Sequence, residues 1–185
     1  MSNRFVTADL HLMHIAQSGR RGYATAAEHD EAIITTWNEI VRPRDMVIVL
    51  GDVGVAPSRL FLPLIGQLHG TLDLISGNHD EVHPMHRGAA AKMAAWIGPG
   101  RFRSIGSQGM LRAGTHRVML SHFPYKGDHT AKDRCAEWRP RDEGLPLFHG
   151  HTHFKDRGGG QVVHAGWDAW GAPVPVDTLC ALIAA

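Results

Sequence analysis

Cysteine, excess charge and long apolar runs are all scarce in this sequence of 185 residues. The two cysteines, Cys135 and Cys180, share no Cys-x-x-Cys spacing and are too few for a disulfide framework, which favours a reducing, cytoplasmic setting. The formal net charge of +1 gives no electrostatic signal for nucleic acid or an acidic membrane. No apolar run is long enough to span a bilayer, and Asp9 interrupts the first segment before a signal-peptide core can form.

Histidine is the residue that the sequence has in abundance, with 14 copies spread along the chain. Histidine is the commonest metal ligand in proteins and the usual proton carrier near neutral pH. A hydrophobic content of 43% with 20% charged residues is typical of a globular protein. The length suits one sizeable core, so we expect a single domain over residues 1–185.

Short apolar runs alternate with helical patterns, which predicts an α/β fold. Thr25-Ala26-Ala27-Glu28 is a capping-box pattern that opens a helix, and Pro43 ends it. Residues 46–50 are apolar on both faces, as a buried parallel strand should be. Residues 123–144 are polar and charged and are predicted to form a long loop. The other predicted strands are 5–8, 72–75, 102–105, 109–112, 117–120, 146–148 and 161–164, and the other predicted helices are 58–68, 89–97 and 177–182.

Polar clusters follow five of these strands, each at the carboxyl end of its strand. They are Asp9-Leu10-His11, Gly51-Asp52-Val53-Gly54, Gly77-Asn78-His79-Asp80, Ser121-His122 and Gly150-His151-Thr152-His153. Because ligand sites in open α/β sheets gather at that edge, we expect the clusters to converge on one point. Carboxylate, imidazole and amide donors without thiolate suit Mn, Fe, Co, Ni or Zn better than Ca or Mg. Seven such ligands are too many for one tetrahedral ion and suit two ions that share a carboxylate.

Taken singly, each of these motifs also fits an ordinary turn, since Gly, Asn and Asp all favour turns. Glycine next to a ligand has a physical reason, because it lets the backbone turn tightly where ligands crowd together. The order of the five motifs, each directly after a strand, favours a metal site over five unrelated turns.

Together the five motifs resemble the ordered motifs of the calcineurin-like metallophosphoesterases, and the resemblance spans nearly the whole chain. The stretch from Arg20-Arg21-Gly22-Tyr23 through Trp37-Asn38 and Leu50-Gly51-Asp52, together with Asp168-Ala169-Trp170, is similar to a small bacterial and phage subgroup. The resemblance implies a four-layer α/β/β/α sandwich with two mixed β-sheets. It also implies that Asp9, His11 and His153 hold one ion, that Asn78, His122 and His151 hold the other, and that Asp52 bridges them. Val53-Gly54-Val55 stands where the family's longer second motif has a further Asp and Arg, which argues against a protein-phosphatase type of site.

The reaction implied is hydrolysis of a phosphate ester by a hydroxide held between two divalent metal ions, with Mn²⁺ favoured over Fe, Zn, Ni or Co. His79 follows Asn78 directly and is predicted to protonate the leaving group or stabilise the transition state. Asp80 is predicted to orient His79, with a plain salt bridge as the alternative. One of Arg20 and Arg21 is predicted to make a bidentate contact with the substrate phosphate, with a solvated loop charge as the alternative. His14 is a secondary candidate for the same contact.

The favoured function is a phosphodiesterase acting on a small phosphate ester, with nucleotides among the substrates considered. The alternatives are a phosphomonoesterase on a small metabolite or nucleotide, a non-catalytic scaffold that kept the fold, and a structural metal site. The intact ligand set and His79 argue against a scaffold, and the number of ligands argues against a closed structural site. We expect no membrane partner and a monomer or homodimer. The near-neutral charge gives no strong signal for nucleic acid, although a nucleic-acid end stays open as a phosphodiesterase substrate.

Overall fold

The computed structural model describes residues 2–128, 130 and 132–183, which form six α-helices, one short 3-10 helix and ten β-strands. The helices are α1 (Ile15–Arg20), α2 (Ala26–Ile40), α3 (Ser58–Ile65), α4 (Ala89–Trp96), α5 (Trp167–Trp170) and α6 (Val176–Ile183), and the 3-10 helix is Ala136–Trp138. The strands are β1 (Arg4–Thr7), β2 (Met46–Val49), β3 (Thr71–Ile75), β4 (Phe102–Gly106), β5 (Gln108–Ala113), β6 (His116–Ser121), β7 (Leu147–His149), β8 (Gly158–Gly159), β9 (Val162–His164) and β10 (Val174–Pro175).

The first sheet is mixed and has the strand order β10-β1-β2-β3-β4. Strands β1 to β4 are parallel, and β10 pairs antiparallel with β1. Val47 and Val49 of β2 are fully buried, and they pack in a core cluster with Trp37 of α2 and Phe61 of α3. The predicted buried parallel strand at residues 46–50 is therefore confirmed.

The second sheet is also mixed, with the order β5-β6-β7-β9-β8. Strands β6, β7 and β9 are parallel, whereas β5 and β8 pair antiparallel with their neighbours. A second core cluster joins side chains of both sheets and α6, including Val6 of β1, Leu120 of β6, Phe148 of β7 and Leu179 of α6. The chain is thus an α/β protein with two mixed sheets that share a core.

The parallel strands of both sheets end close to one another. The backbone after β1 bonds to the backbone after β2, with Asp9 N donating to Gly51 O at 3.0 Å. The backbone after β7 bonds to that after β6, with Gly150 N donating to His122 O at 3.0 Å. Between the sheets, His122 Nδ1 donates to Leu50 O at 2.8 Å, and His151 N donates to Asp9 Oδ1 at 3.0 Å. The predicted convergence of the strand ends is therefore confirmed.

Several short elements were absent from the sequence prediction. Helix α1 has no apolar stripe and begins at Ile15, whose side chain is 80% exposed, so no period marks it. Helix α5 has four residues, and β8 and β10 have two each, which is too short for a sequence period. Residues 123–144 do form a long connection, in which the described part holds only the 3-10 helix; positions 129 and 131 lie outside the described residues. None of the described helices is both long and apolar enough to cross a bilayer.

The cap of helix α2 gives a test of the fold. Thr25 Oγ1 accepts the N–H of Glu28 at 3.1 Å, and Glu28 Oε2 accepts the N–H of Ala24 at 3.2 Å. We expect Thr25→Ala to lower the free energy of unfolding by about 1 kcal/mol in urea denaturation, because the cap is lost. Thr35→Ala, the same change at an exposed position inside α2, should cost nothing measurable, and equal losses in both variants would contradict the capping role.

Candidate metal centre

The backbone at the predicted ligands is unusual. Positive φ angles occur at Asp9 (59°), His11 (53°), Asp52 (53°), His151 (69°) and His153 (53°). A left-handed conformation costs a residue with a side chain about 1–2 kcal/mol, and such outliers cluster at functional sites. The turns are held from several sides, since His11 N donates to Asp52 O and His151 N donates to the Asp9 carboxylate, both at 3.0 Å. The fold therefore stabilises a strained backbone at these five residues.

One group of predicted ligands lies at the ends of β1 and β2. The ligand atoms of Asp9, His11, Asp52 and His153 all lie within 4.8 Å of one another. His11 Nε2 is 3.2 Å from His153 Nε2 and 3.6 Å from Asp52 Oδ2. His153 Nδ1 faces Asp168 Oδ2 at 2.8 Å, so a neutral His153 that donates there turns the lone pair of Nε2 toward the cluster. This group can hold a metal ion.

A second group adjoins the first on the other side of Asp52. Asn78 Oδ1 is 2.9 Å from His151 Nδ1 and 3.1 Å from His122 Nε2, and the same His122 Nε2 is 3.5 Å from Asp52 Oδ1. His122 Nδ1 donates to Leu50 O at 2.8 Å, which leaves a lone pair on Nε2 when the ring is neutral. The acceptor atoms Asn78 Oδ1 and His122 Nε2 therefore face each other, next to His151 Nδ1. A cation between these atoms would stabilise the arrangement.

Burial sets the charge of His11 and His151, whereas at His153 burial is outweighed by the Asp168 carboxylate, which raises the pKa of that ring. Burial lowers the pKa of His11 to about 3, despite the nearby carboxylates of Asp52 and Asp9, and it lowers the pKa of His151 to about 4. Burial would raise the pKa of Asp9, but the neighbouring His164 and His153 rings outweigh it and hold that pKa well below its ordinary value. Neutral imidazoles beside an ionised carboxylate are the forms that bind a metal ion.

Two glycines allow the ligand turns to touch. A Cβ atom on Gly77 would lie 2.4 Å from Asp52 Oδ1 and 2.8 Å from His122 Nδ1. Gly51 has φ +81°, and a Cβ there would lie 2.5 Å from the backbone nitrogen of Gly77. A side chain at either position would push Asp52 and His122 apart, so glycine is required at both.

His79, the predicted proton donor, lies at the rim of the site. Its backbone N–H donates to Asp52 Oδ1 at 2.9 Å, and its ring nitrogen Nε2 is 4.0 Å from Asp52 Oδ2. The side chain is 41% exposed, and its ring lies 5.4 Å from that of His11. His79 is thus close to both ligand groups while its ring faces solvent.

Asp80 has a different role from the predicted one. Its carboxylate accepts the backbone N–H groups of Asp52 at 3.0 Å, Val53 at 2.9 Å and Gly77 at 2.7 Å. Burial and the neighbouring Asp52 raise the pKa of Asp80 to about 7, against the effect of these donors. Asp80 holds the turn at Asp52 against the turn at Gly77, instead of orienting the His79 ring.

Arg21 also differs from its prediction as a substrate contact. Its guanidinium donates to both oxygens of Asp168 at 2.9 Å, to Asp9 O at 2.7 Å and to Leu10 O at 3.0 Å, and its side chain is only 8% exposed. Two of these bonds go to backbone carbonyls of the first motif, so Arg21 supports the backbone of the ligand turn. Arg20 is exposed, with a long contact of 3.4 Å to Gln17 Oε1, and its substrate role stays a prediction.

Three further residues lie near the ligands; the sequence predicted no role for Asp128 or Asp168, and it predicted His14 only as a secondary candidate for a substrate contact. Asp168 Oδ2 contacts His153, Asp128 Oδ2 lies 3.5 Å from His151 Nε2, and His14 Nδ1 lies 3.2 Å from His11 Nδ1. Asp128 and Asp168 belong to segments outside the five motifs. The similarity of residues 168–170 to the bacterial and phage subgroup drew attention to Asp168 but gave it no role, and no local pattern marks Asp128. His14 lies three residues after His11 and directly before α1. Because α1 has only six residues, its sequence has no pattern from which to predict that His14 faces the ligands.

Comparison with known proteins finds relatives of this chain in two phages. No protein-family model matches it. The Gene 66 protein of Mycobacterium phage D29 is 40% identical over 187 aligned positions, which cover 96% of this chain and 94% of the phage protein. The chain belongs to the Gene 66 protein family. The Gene 66 protein of Mycobacterium phage L5 is 37% identical over 199 positions, which cover 99% and 95% of the two chains.

The similarity extends beyond the Gene 66 family. An uncharacterized protein of Methanocaldococcus jannaschii is 29% identical over 85 positions, 44% of this chain and 48% of the archaeal protein. A crystal structure of a protein of unknown function from Aquifex aeolicus superposes with a TM-score of 0.72 at 20% identity, covering 99% of this chain and 100% of the other. The Aquifex protein therefore shares the fold of this Gene 66 relative.

The crowded glycine gives a test of the site. We expect Gly77→Ala to abolish Mn²⁺ binding, because the added methyl would displace Asp52 and His122. Binding would be measured by calorimetric titration of metal-stripped protein. Gly19→Ala is the matched control, since a Cβ there meets nothing within 4 Å, and it should bind as wild type does. Unchanged Mn²⁺ binding in Gly77→Ala would contradict the described geometry.

Proposed function

We propose that this protein is a phosphoesterase of the calcineurin-like type that uses two divalent metal ions and prefers phosphodiesters. One observation carries the proposal: the buried Asp52 carboxylate is shared by both ligand groups. Its Oδ2 lies 3.6 Å from His11 Nε2, and its Oδ1 lies 3.5 Å from His122 Nε2. A shared carboxylate between two groups of nitrogen and oxygen donors is suited to a dinuclear centre.

The donor set supports Mn²⁺ as the ion, with Fe, Zn, Ni or Co as competitors, because it combines imidazole with carboxylate and lacks thiolate. When bound, two such ions would supply Lewis acidity and a water acidified enough to act as nucleophile at neutral pH. The two mixed sheets and their shared core support assignment to the four-layer α/β/β/α sandwich of that family.

The chain's own contribution to the reaction centres on His79. Water adds to phosphorus and releases one proton to solvent, the bond from phosphorus to the leaving oxygen breaks, and that oxygen needs a proton. The His79 ring lies 4.0 Å from Asp52 Oδ2 with 41% of its side chain exposed, so an ester bound at the centre would contact it. A proton held on His79 would pass to the leaving oxygen, and the ring would then regain it from solvent.

The charges around the site support a diester. The Arg21 guanidinium pairs with the Asp168 carboxylate, and the Arg134 guanidinium pairs with the Asp128 carboxylate. Each of these cations close to the ligands is therefore balanced by an anion. A phosphodiester carries one negative charge at neutral pH, so it needs fewer protein cations than a doubly charged monoester.

Hydrolysis of two chromogenic esters tests the proposal. Metal-stripped protein should hydrolyse a chromogenic phosphodiester faster than its monoester once Mn²⁺ is added, and neither without it. Asp52→Asn should lose this activity, because an amide cannot replace the shared carboxylate. Faster turnover of the monoester would make the protein a phosphomonoesterase. No turnover of either ester by Mn²⁺-loaded protein would favour a non-catalytic scaffold.

The role of His79 has a separate test. We expect His79→Ala to lower kcat for the diester by about 10²–10⁴-fold, because the leaving oxygen loses its proton donor. Mn²⁺ content, measured by atomic emission after gel filtration, should stay at the wild-type value. His116→Ala, on β6, is the control and should alter neither quantity. Loss of Mn²⁺ from His79→Ala would instead identify His79 as a ligand.

A further inference from the structure

His153, in the first ligand group, is held from behind by a carboxylate and an arginine. The ring nitrogen Nδ1 contacts Asp168 Oδ2 at 2.8 Å. Arg21 holds the same carboxylate with two bonds, from Nε to Oδ1 and from Nη2 to Oδ2, both at 2.9 Å. Asp168 and Arg21 come from opposite ends of the chain, in α5 and directly after α1. We call His153, Asp168 and Arg21 the Asp168 network.

His151, in the second ligand group, has a similar arrangement behind it. Its Nδ1 faces Asn78, and its Nε2 lies 3.5 Å from Asp128 Oδ2. Arg134 holds that carboxylate with two bonds, from Nε to Oδ2 at 2.9 Å and from Nη2 to Oδ1 at 3.1 Å. The Asp128 side chain is fully buried. We call His151, Asp128 and Arg134 the Asp128 network.

We propose that the two networks position the two metal ions separately: the Asp168 network orients His153 for one ion, and the Asp128 network orients His151 for the other. The inference rests on the proposed dinuclear centre. Asp128 and Arg134 belong to none of the five sequence motifs, so the 123–144 segment would contribute directly to metal affinity.

A carboxylate behind a histidine acts in two ways. It fixes which ring nitrogen carries the proton and how the ring is turned, and it makes the opposite nitrogen a stronger donor. A bidentate arginine keeps the carboxylate in place and balances its charge. The buried Asp128 carboxylate, held at both oxygens by Arg134, therefore faces the His151 ring.

The segment that carries Asp128 and Arg134 has its own internal support. Arg139 Nη2 donates to Gly127 O at 2.9 Å and to Arg134 O at 3.2 Å, and Arg139 Nη1 donates to Asp133 Oδ2 at 3.1 Å. The backbone on both sides of the Asp128–Arg134 pair is thus tied to one buried guanidinium, which fixes the carboxylate relative to His151.

Mn²⁺ titration of metal-stripped full-length protein, followed by the electron paramagnetic resonance signal of free Mn²⁺, tests the inference. We expect two dissociation constants for wild type. Asp128→Asn should raise one of them about 10–100-fold, and Asp168→Asn should raise the other by a similar factor. Asp73→Asn is the matched control, since Asp73 pairs with Arg103 and Ser104, neither of them a ligand, and both constants should stay unchanged.

Combined variants separate positioning from a general loss of structure. If Asp128 acts through His151, Asp128→Asn should cause no further loss in a His151→Ala background, but it should still weaken binding in a His153→Ala background. Arg134→Gln, which keeps the carboxylate, should give a smaller loss at the same ion. Equal losses in both backgrounds, or wild-type constants in Asp128→Asn, would overturn the inference and leave the proposed function standing. No Mn²⁺ binding by wild type would overturn both.

Discussion

The rest of the structure depends on one buried carboxylate, Asp52, with histidines facing both of its oxygens. Its side chain is 2% exposed, and His11 and His122 lie on opposite sides of it. Lone pairs and anions crowded in this way repel one another unless a cation lies between them. The fold must therefore hold the groups together before the cation arrives, and much of the surrounding structure has this effect.

Two buried polar side chains act on the backbone of the ligand turns. Asp80 accepts three N–H groups from the turns at Asp52 and Gly77, and Arg21 donates to the carbonyls of Asp9 and Leu10. These bonds offset the cost of left-handed backbone at the ligands. Arg21 also reaches Asp168, so one guanidinium supports the first ligand turn and the carboxylate behind His153 together.

The sequence predicted the α/β class and the convergence of the ligand clusters because both follow from local patterns. Apolar runs mark strands, and polar residues directly after parallel strands meet at one edge of the sheet. The sequence predicted that Asp80 and Arg21 lie near the site, but it could not predict their contacts. Both side chains bond to backbone groups that only the folded turns bring together. Asp128 and Asp168 lie 23 and 15 residues from their histidines, and no pattern in the chain connects them.

The chain belongs to the Gene 66 family and shares its fold with the Aquifex protein. Neither similarity identifies a reaction, so the proposed chemistry rests on the residues of the site. The central claim is that one preformed site holds two ions on either side of Asp52. Counting Mn²⁺ per chain by electron paramagnetic resonance tests it most directly. We predict two ions per chain with a spin-coupled spectrum, because ions that share a carboxylate lie about 3.5–4 Å apart. A single ion per chain, or two ions without coupling, would contradict the claim.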